Sequence, residues 1–200
     1  MATIGFIIKL NWSVNRVINL IDKPTLKGEK VILRPFEDGD FPYIEKCLQD
    51  EEVIKLTGSD SHYDRDFTLS WYKTRNEQTD RLDLAIVDQS QDITVGEVVA
   101  NLYDEKNHSM NFRILIGPQG RNRGLGTEAT QLFIDYLFSH TTLKTITLSV
   151  FDFNPRAKRV YEKVGFLVES IDEKELAFDG EWIDSVNMKM SRAEWLRENR

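Results

Sequence analysis

The chain has 200 residues, of which 40% are hydrophobic and 30% charged, a length and composition that suit one globular domain with a buried core. Its net charge of -7 argues against a dedicated nucleic-acid binder, because phosphate backbones bind to concentrated basic fields. A single cysteine excludes an internal disulfide, and the three histidines lack the spacing of metal ligands. We therefore expect no metal cofactor, no nucleic-acid partner and a cytoplasmic location, where thiols stay reduced.

The first ten residues, MATIGFIIKL, form a short apolar run. Lys9 interrupts this run, no basic segment precedes it and no small-residue cleavage site follows, so we predict neither a signal peptide nor a membrane span. Residues 1–25 are interpreted as an N-terminal extension that packs on the domain or on a partner chain. An amphipathic helix is predicted within it, because apolar residues precede Pro24 at helical spacing: Val14, Val17, Ile18 and Ile21.

The segment from 28 to 81 is predicted to contain one strand and two helices. The alternating, β-rich stretch GEKVILRPF predicts a strand over 28–36. A helix follows, with Asp40 as its N-cap and Pro42 in its first turn. A second helix is predicted over 66–76, where aromatic residues recur on one side.

Strands dominate the chain from residue 82 onward. Three β-rich segments separated by polar turns predict an antiparallel meander, and helices and further strands follow it. The predicted strands are 82–87, 93–102, 110–117, 145–150, 166–168, 175–178 and 182–190, and the predicted helices are 127–139 and 154–164. This order of elements predicts a single mixed α/β domain.

The sequence GRNRGLGTEA, residues 120–129, lies between a predicted strand and a predicted helix. Unpaired amides at a helix N-terminus favour an anion, as does the positive end of the helix dipole. Glycines lack a Cβ and let a diphosphate approach the backbone, while arginines add local positive charge to an acidic chain. The predicted anion-binding residues are Arg121, Asn122, Arg123, Gly124, Leu125, Gly126 and Thr127.

Two other phosphate-binding patterns compete for this loop. A nucleoside-triphosphate P-loop requires G-x-x-x-x-G-K-[ST], which the sequence does not contain. A dinucleotide fold is formally compatible, because 124–129 fits G-x-G-x-x-A and Asp152 follows the next strand where a ribose-binding acid is expected. Against it, Gly117, Pro118 and Gly120 separate the motif from its strand, and too few residues follow for the usual parallel strands.

The pattern R-x-x-G-x-G at Arg121, Gly124 and Gly126 resembles the acyl-CoA loop of the GCN5-related N-acetyltransferases, the GNAT superfamily. A second block, SVFDFNPRAKRVYEKVGF (149–166), is similar to that superfamily's later strand and N-x-x-A-x-x-x-Y helix. With the late G-x-[WY]-x-D segment, these blocks are typical of the RimJ/RimL-like branch. The resemblance implies a GNAT-type domain over 26–197, with a central, mostly antiparallel twisted sheet flanked by helices.

The resemblance also implies an activity, the direct transfer of the acetyl group of acetyl-CoA to a primary amine. The glycine loop would bind the diphosphate, and Asn154 and a strand end would bind the pantetheine arm. The strand-end residues are Ile114, Leu115 and Ile116. Tyr161 would act as the general acid that protonates the departing thiolate. From the residues alone, Asn154 also suits a helix N-cap and Tyr161 a core position.

A primary amine must lose a proton before it attacks. Glu97, after Gly96 on a central strand, is the candidate for activating it, although a strand glutamate can equally be a solvated residue or an ion-pair partner. Asp104 and His108, in a turn, are weaker candidates. Cys47 lies on an apolar helix face and is expected to pack in the core.

The identity of the amine acceptor stays open at this point. The segment 51–81 offers His62, Tyr63, Trp71 and Tyr72 but no motif that reports a substrate. A protein N-terminus and a small-molecule amine are both compatible, and the acidic balance mildly favours a cationic acceptor. A catalytically silent acyl-CoA-binding module is the main alternative and a nicotinamide enzyme the third. We expect no membrane partner, and a homodimer is an open expectation.

Overall fold

The computed structural model describes residues 20–58 and 63–199, in which helices flank one eight-stranded sheet. The strands are β1 (Leu26–Lys27), β2 (Val31–Arg34), β3 (Leu82–Asp88), β4 (Ile93–Asp104), β5 (Ser109–Ile116), β6 (Thr145–Phe151), β7 (Leu167–Phe178) and β8 (Glu181–Ser191). The helices are α1 (Phe41–Leu48), α2 (Glu51–Thr57), α3 (Arg65–Thr74), α4 (Leu125–His140), α5 (Pro155–Val164) and α6 (Arg192–Glu198).

The strands follow the order β1-β2-β3-β4-β5-β6-β8-β7 across the sheet. Every neighbouring pair is antiparallel except β5 and β6, which run parallel. The predicted mixed α/β domain with a mostly antiparallel sheet is therefore confirmed. A dinucleotide fold is built from successive parallel strands, so this topology rules out the dinucleotide interpretation of the glycine motif.

Helices cover both faces of the central strands. In β3, Leu84 and Ile86 belong to the large core cluster that includes the buried residues of α4, whereas Ala85 packs with Phe36 and Tyr72 on the opposite face. All seven residues of β3 are buried as a result. This explains why β3 is continuously apolar over most of its length, since a strand covered on both faces needs no polar alternation.

Helices α2 and α6 are not predicted by the sequence patterns. Asp50 caps α2 by accepting a hydrogen bond from the amide of Val53 at 3.0 Å. Ser191 and Glu194 form a reciprocal capping box at the start of α6. The S-x-x-E spacing of these two residues is a known helix-start signature and could have indicated α6.

Asp40 precedes α1 as predicted, but its side chain does not cap the helix. The carboxylate instead accepts hydrogen bonds from both terminal nitrogens of Arg34, at 2.7 and 2.9 Å, and one from the Thr94 hydroxyl. Burial opposes the charged form, but these hydrogen bonds outweigh it and hold the pKa of Asp40 below its usual value. The residue therefore ties β2 to β4.

Two predicted strands and one predicted helix also differ from the structure. The predicted strands 166–168 and 175–178 are parts of the single strand β7, which two register shifts interrupt. Of the predicted N-terminal helix, Val14, Val17 and Ile18 lie outside the described residues, and Ile21 is not helical.

The one parallel pair separates soon after it forms. β5 and β6 are paired only over three residues each, where residues 109–111 of β5 lie beside residues 145–147 of β6. Beyond Asn111, β5 pairs with β4 alone, and beyond Thr147, β6 pairs with β8 alone. Since both strands run in the same direction, their C-terminal halves diverge and leave a cleft in the sheet.

Candidate active site

The cleft between the diverging ends of β5 and β6 is a cavity of about 360 Å³. The loop before α4, the first turns of α5 and one side of α2 complete its walls. From the sheet it is lined by Glu97, Val99, Phe112, Arg113, Ile114, Leu115, Ile116, Ser149, Val150 and Phe151. From the loops and helices it is lined by Val53, Leu56, Thr57, Gly120, Arg121, Asn122, Gly124, Gly126, Thr127, Asn154, Arg156, Ala157, Val160 and Tyr161.

The glycine loop, residues 120–127, forms one end of the cleft. Asn122 and Gly124 adopt left-handed conformations, with φ of 59° and 79°, and α4 begins directly after Gly124. Alternation of left- and right-handed residues turns successive amides toward a common side. Among the described residues, no acceptor takes a hydrogen bond from the amides of 121–127, and the first bonded amide is that of Glu128. The loop therefore presents free donors at a helix N-terminus.

Gly126 lies against the wall of the cleft formed by β5. A Cβ at this position would be 3.4 Å from a side-chain carbon of Ile116 and 3.8 Å from one of Ile114. These are ordinary contact distances, so a side chain here would fill space between the loop and the strand rather than clash with them. The glycine therefore keeps the cleft open beside the free amides.

The two arginines of the loop have different partners. The Arg121 guanidinium lines the cleft and pairs with Asp50 and Glu52, and its Nε is buried with no hydrogen-bond partner. Arg123 turns toward the β3–β4 connection and donates to Asp88 at 2.5 Å and to Ser90 at 2.9 Å. Only part of the predicted anion-binding set, residues 121–127, lines the cleft, because the side chain of Arg123 and the buried Leu125 do not.

Asn154 and Tyr161 both lie on α5 or at its start, and both line the cleft. The Asn154 side chain accepts a hydrogen bond from the amide of Ala157 at 3.1 Å and so caps α5. Tyr161 is buried, with its ring edge-on to Phe112 at 6.2 Å between centroids. Burial raises the pKa of Tyr161 well above its usual value, so the phenol stays protonated at neutral pH.

Glu97 lines the cleft from β4, but it is also the centre of a buried ionic network. Its Oε2 accepts hydrogen bonds from the Tyr72 hydroxyl at 2.7 Å and from Arg75 at 2.5 Å. Arg75 also lies 3.6 Å from Asp83, which pairs with Arg81 at 2.6 Å. Burial and the neighbouring Glu97 carboxylate raise the pKa of Tyr72 well above its usual value. Both candidate roles of Glu97, cleft residue and ion-pair partner, are thus compatible with its position.

The weaker candidates lie elsewhere. Neither Asp104 nor His108 lines the cleft; Asp104 accepts hydrogen bonds within its own turn, and His108 lies 3.3 Å from the Tyr103 hydroxyl. Cys47 is buried in the core as expected, and burial raises the pKa of its thiol to about 12. His62 lies outside the described residues.

Several contacts at the cleft are not predicted by the sequence patterns. Tyr72 and Arg75 reach Glu97 from α3 and the turn after it, at sequence separations that no local motif records. Arg156 and the cleft-facing side of α2 are likewise brought in only by the fold. A buried arginine needs an acidic partner, but the pattern of 66–76 shows only aromatic residues on one side and does not indicate this network.

Neither a metal-binding cluster nor a membrane-spanning helix is found among the described residues. In residues 20–58 and 63–199, no three side chains of histidine, cysteine, aspartate or glutamate are grouped so as to hold a metal ion. Across the same ranges, no helix combines the length and the apolar character needed to cross a membrane.

Comparison with known proteins gives consistent matches. Residues 30–167 match the family described as the acetyltransferase (GNAT) domain. The spermidine N(1)-acetyltransferase of Escherichia coli K12 is 29% identical over 181 residues, covering 86% of this chain and 92% of that protein. An N-acetyltransferase 9-like protein of Caenorhabditis briggsae is 24% identical over 161 residues, covering 74% and 80%.

Solved structures share the same fold. The spermidine N-acetyltransferase of Vibrio cholerae, in complex with CoA and spermine, superposes with a TM-score of 0.77 at 22% identity, over 84% of this chain and 99% of that one. A GCN5-related N-acetyltransferase from Brucella melitensis has a TM-score of 0.72 at 20% identity, over 88% and 81%.

Proposed function

The chain belongs to the acetyltransferase (GNAT) domain family and transfers the acetyl group of acetyl-CoA to a primary amine; from this premise we propose that its acceptor is a small cationic amine of the polyamine type. The observation that supports acetyl transfer in this cleft most directly is that the free amides of 121–127 and the side chain of Tyr161 lie in the same cavity. It also favours an enzyme over a silent acyl-CoA-binding module.

The cleft fits acetyl-CoA at two positions. The free amides of 121–127, with the unpartnered Nε of Arg121, offer donors where the diphosphate would bind. Ile114, Leu115 and Ile116 belong to the part of β5 that has no partner on its cleft side, so their backbone can pair with the pantetheine amides as an added strand would. The capping role of Asn154 leaves its NH₂ group available to the same arm.

Acetyl-CoA supplies a thioester, and the chain supplies the groups around it. We assign to Tyr161 the proton that the departing thiolate takes. Because burial raises its pKa, the phenol is protonated at neutral pH before the reaction, but it is also a weaker acid. A thiolate formed in the same buried surroundings is destabilised too, so burial works on both partners and keeps the transfer feasible.

We assign to Glu97 the reception of a proton from the acceptor amine. Oε2 is engaged by Tyr72 and Arg75, while the residue still lines the cleft. The two donors fix the carboxylate in one orientation, which a general base requires. An amide from the Ile114–Ile116 segment would meet the negative charge that develops on the carbonyl oxygen.

The choice of a polyamine-type acceptor is supported by the relatives, three of which are spermidine N-acetyltransferases by name. The net charge of -7 favours the approach of a polycation. A RimJ/RimL-like assignment would instead point to a protein N-terminus. That branch is the alternative which the acceptor test separates from the polyamine proposal. We retain a domain spanning 26–197, a cytoplasmic location and a homodimer as further proposals.

The test is a measurement of CoA thiol release with an acceptor panel. Spermidine, spermine, an aminoglycoside and a short peptide with a free N-terminus would be compared at equal concentration. We expect the polyamines to give the highest kcat/KM. Faster turnover of the peptide would replace the polyamine proposal by the RimJ/RimL one. Binding of acetyl-CoA without release for any acceptor would support the silent module.

A further inference from the structure

One acidic side chain, that of Glu52, joins two arginines at the cleft. Glu52 lies in the first turn of α2, and its Oε2 accepts a hydrogen bond from Arg121 at 2.7 Å. Its Oε1 accepts a second from Arg156 at 2.5 Å. Asp50 accepts a further bond from Arg121. A single carboxylate thus bridges two guanidinium groups.

The two arginines come from opposite walls of the cleft. Arg121 belongs to the glycine loop, which follows β5, whereas Arg156 lies in the first turn of α5, which follows β6. Both line the cavity. The carboxylate of Glu52 therefore lies between the two walls, where positive charge from both converges.

Two guanidinium groups around one anion are suited to a phosphate. Arginine binds phosphate oxygens through paired hydrogen bonds, and a phosphate carries more charge than a carboxylate. The Nε of Arg121 is buried and has no partner among the described residues, so this side chain still has a donor to offer. The arrangement has unused capacity for a more highly charged anion.

The bridge is also weak enough to be replaced. The side chains of Glu52 and Arg156 are 44% and 42% exposed, and ion pairs at such exposure contribute little to stability. Exchange of the carboxylate for a phosphate would therefore cost the fold little.

We propose that Arg156 is a further phosphate-binding residue for the cofactor and that Glu52 is an internal anion which the cofactor's phosphates displace. This inference rests on the proposed function, because it takes acetyl-CoA as the ligand of the cleft. It adds one residue to the cofactor site and gives Glu52 an inhibitory role in cofactor binding.

The test is isothermal titration of CoA, dephospho-CoA and pantetheine into the full chain and its variants. Glu52→Gln should bind CoA about two- to fivefold more tightly, the range expected for release of an exposed ion pair. Arg156→Gln should bind CoA about tenfold more weakly, as expected for loss of a charge-assisted hydrogen bond. Neither variant should change pantetheine binding, because pantetheine has no phosphate.

Glu51→Gln is the matched control, since it removes the same charge from an exposed position on the same turn. We expect it to change CoA affinity by less than about 1.5-fold, because an exposed charge at this range is screened. Dephospho-CoA lacks the 3′-phosphate of CoA but keeps the diphosphate, so it shows which of the two groups Arg156 contacts. If Arg156→Gln weakens dephospho-CoA binding as much as CoA binding, Arg156 contacts the diphosphate. If it weakens only CoA binding, Arg156 contacts the 3′-phosphate.

Three results would overturn the inference. They are weaker CoA binding by Glu52→Gln, equal effects of Glu52→Gln and Glu51→Gln, and unaltered CoA binding by Arg156→Gln. Failure of the premise that the cleft binds acetyl-CoA would be distinct, because the wild-type chain would then bind neither CoA nor dephospho-CoA. Failure of the polyamine proposal would appear only in the acceptor panel and would leave these titrations unchanged. Thermal unfolding of each variant would confirm that it folds.

Discussion

The two ends of the cleft differ in how far the protein satisfies its own polar groups. In the glycine loop, the amides of 121–127 have no acceptor among the described residues. At Glu97, the carboxylate already accepts hydrogen bonds from Tyr72 and Arg75. A loop of unsatisfied donors can bind an anion from outside, whereas a carboxylate whose Oε2 already accepts two hydrogen bonds is held in place by the fold. Under the proposed function, the glycine loop would bind the cofactor and the Glu97 end would orient the acceptor.

The largest effect is expected at Tyr161, which lines the cleft from α5. Tyr161→Phe keeps the ring that packs on Phe112 but removes the proton donor. We expect kcat to fall by about 10²-fold or more, the usual contribution of a general acid, with CoA affinity unchanged. Tyr136→Phe, which alters a tyrosine on α4 that does not line the cleft, serves as the control. Equal losses in both variants would count against a catalytic phenol.

Substitutions at Glu97 test whether its catalytic role can be separated from its structural role in the buried ionic network. Glu97→Gln should lower kcat by about 10²-fold, because the proposed proton acceptor is lost. It should also destabilise the fold by about 3 kcal/mol, because Arg75 would keep a buried charge without its main partner. Adding Arg75→Met should restore much of the stability measured by urea unfolding, but not the activity. Recovery of activity in the double variant would show that Glu97 is only structural.

Arg121 and Arg123 form a matched pair within the glycine loop. Arg121→Gln should raise KM for acetyl-CoA about tenfold, the cost of one charge-assisted contact. Arg123→Gln should leave KM unchanged and lower stability by about 1 to 2 kcal/mol, because the buried carboxylate of Asp88 loses its charged partner and keeps only its hydrogen bonds from Ser90. The steady-state KM and the urea midpoint of each variant would be compared. An increase in KM for Arg123→Gln equal to that of Arg121→Gln would remove the distinction between them.

The smallest effect concerns Cys47, which lies in neither end of the cleft. Because burial raises the pKa of its thiol to about 12, the thiol stays protonated and unreactive at pH 8. The same shift contributes stability below the unfolded value of about 9, and this contribution is lost as the pH rises toward 12. A thiol reagent should label the native chain slowly at pH 8 and the urea-unfolded chain quickly. Rapid labelling of the native chain would contradict the buried position.

The comparison also separates what the sequence could and could not predict. The glycine loop, the Asn154 cap and the position of Tyr161 on α5 depend on residues close in sequence, and local patterns placed them correctly on their elements. The partners of Glu97 lie 22 and 25 residues away, and the partners of Arg121 lie 69 and 71 residues away. Such pairings are fixed by strand order, which no local spacing records.

The elements show the same division. The central strands and α4 follow strong hydrophobic patterns and were predicted within a few residues. Helix α2 is short and mostly polar, so it lacks a clear hydrophobic pattern, and its N-cap Asp50 alone does not identify it. The bulged strand β7 was divided in two because its register shifts interrupt the alternation.

The central claim, that the amides of 121–127 bind the diphosphate of CoA, is tested most directly by amide NMR of the ¹⁵N-labelled chain. On addition of CoA, the amide resonances of residues 121–127 should shift strongly, and pantetheine should leave them nearly unchanged while it shifts those of Ile114–Ile116. If CoA binds and the loop amides do not respond, or respond equally to pantetheine, the account of the cofactor site is contradicted.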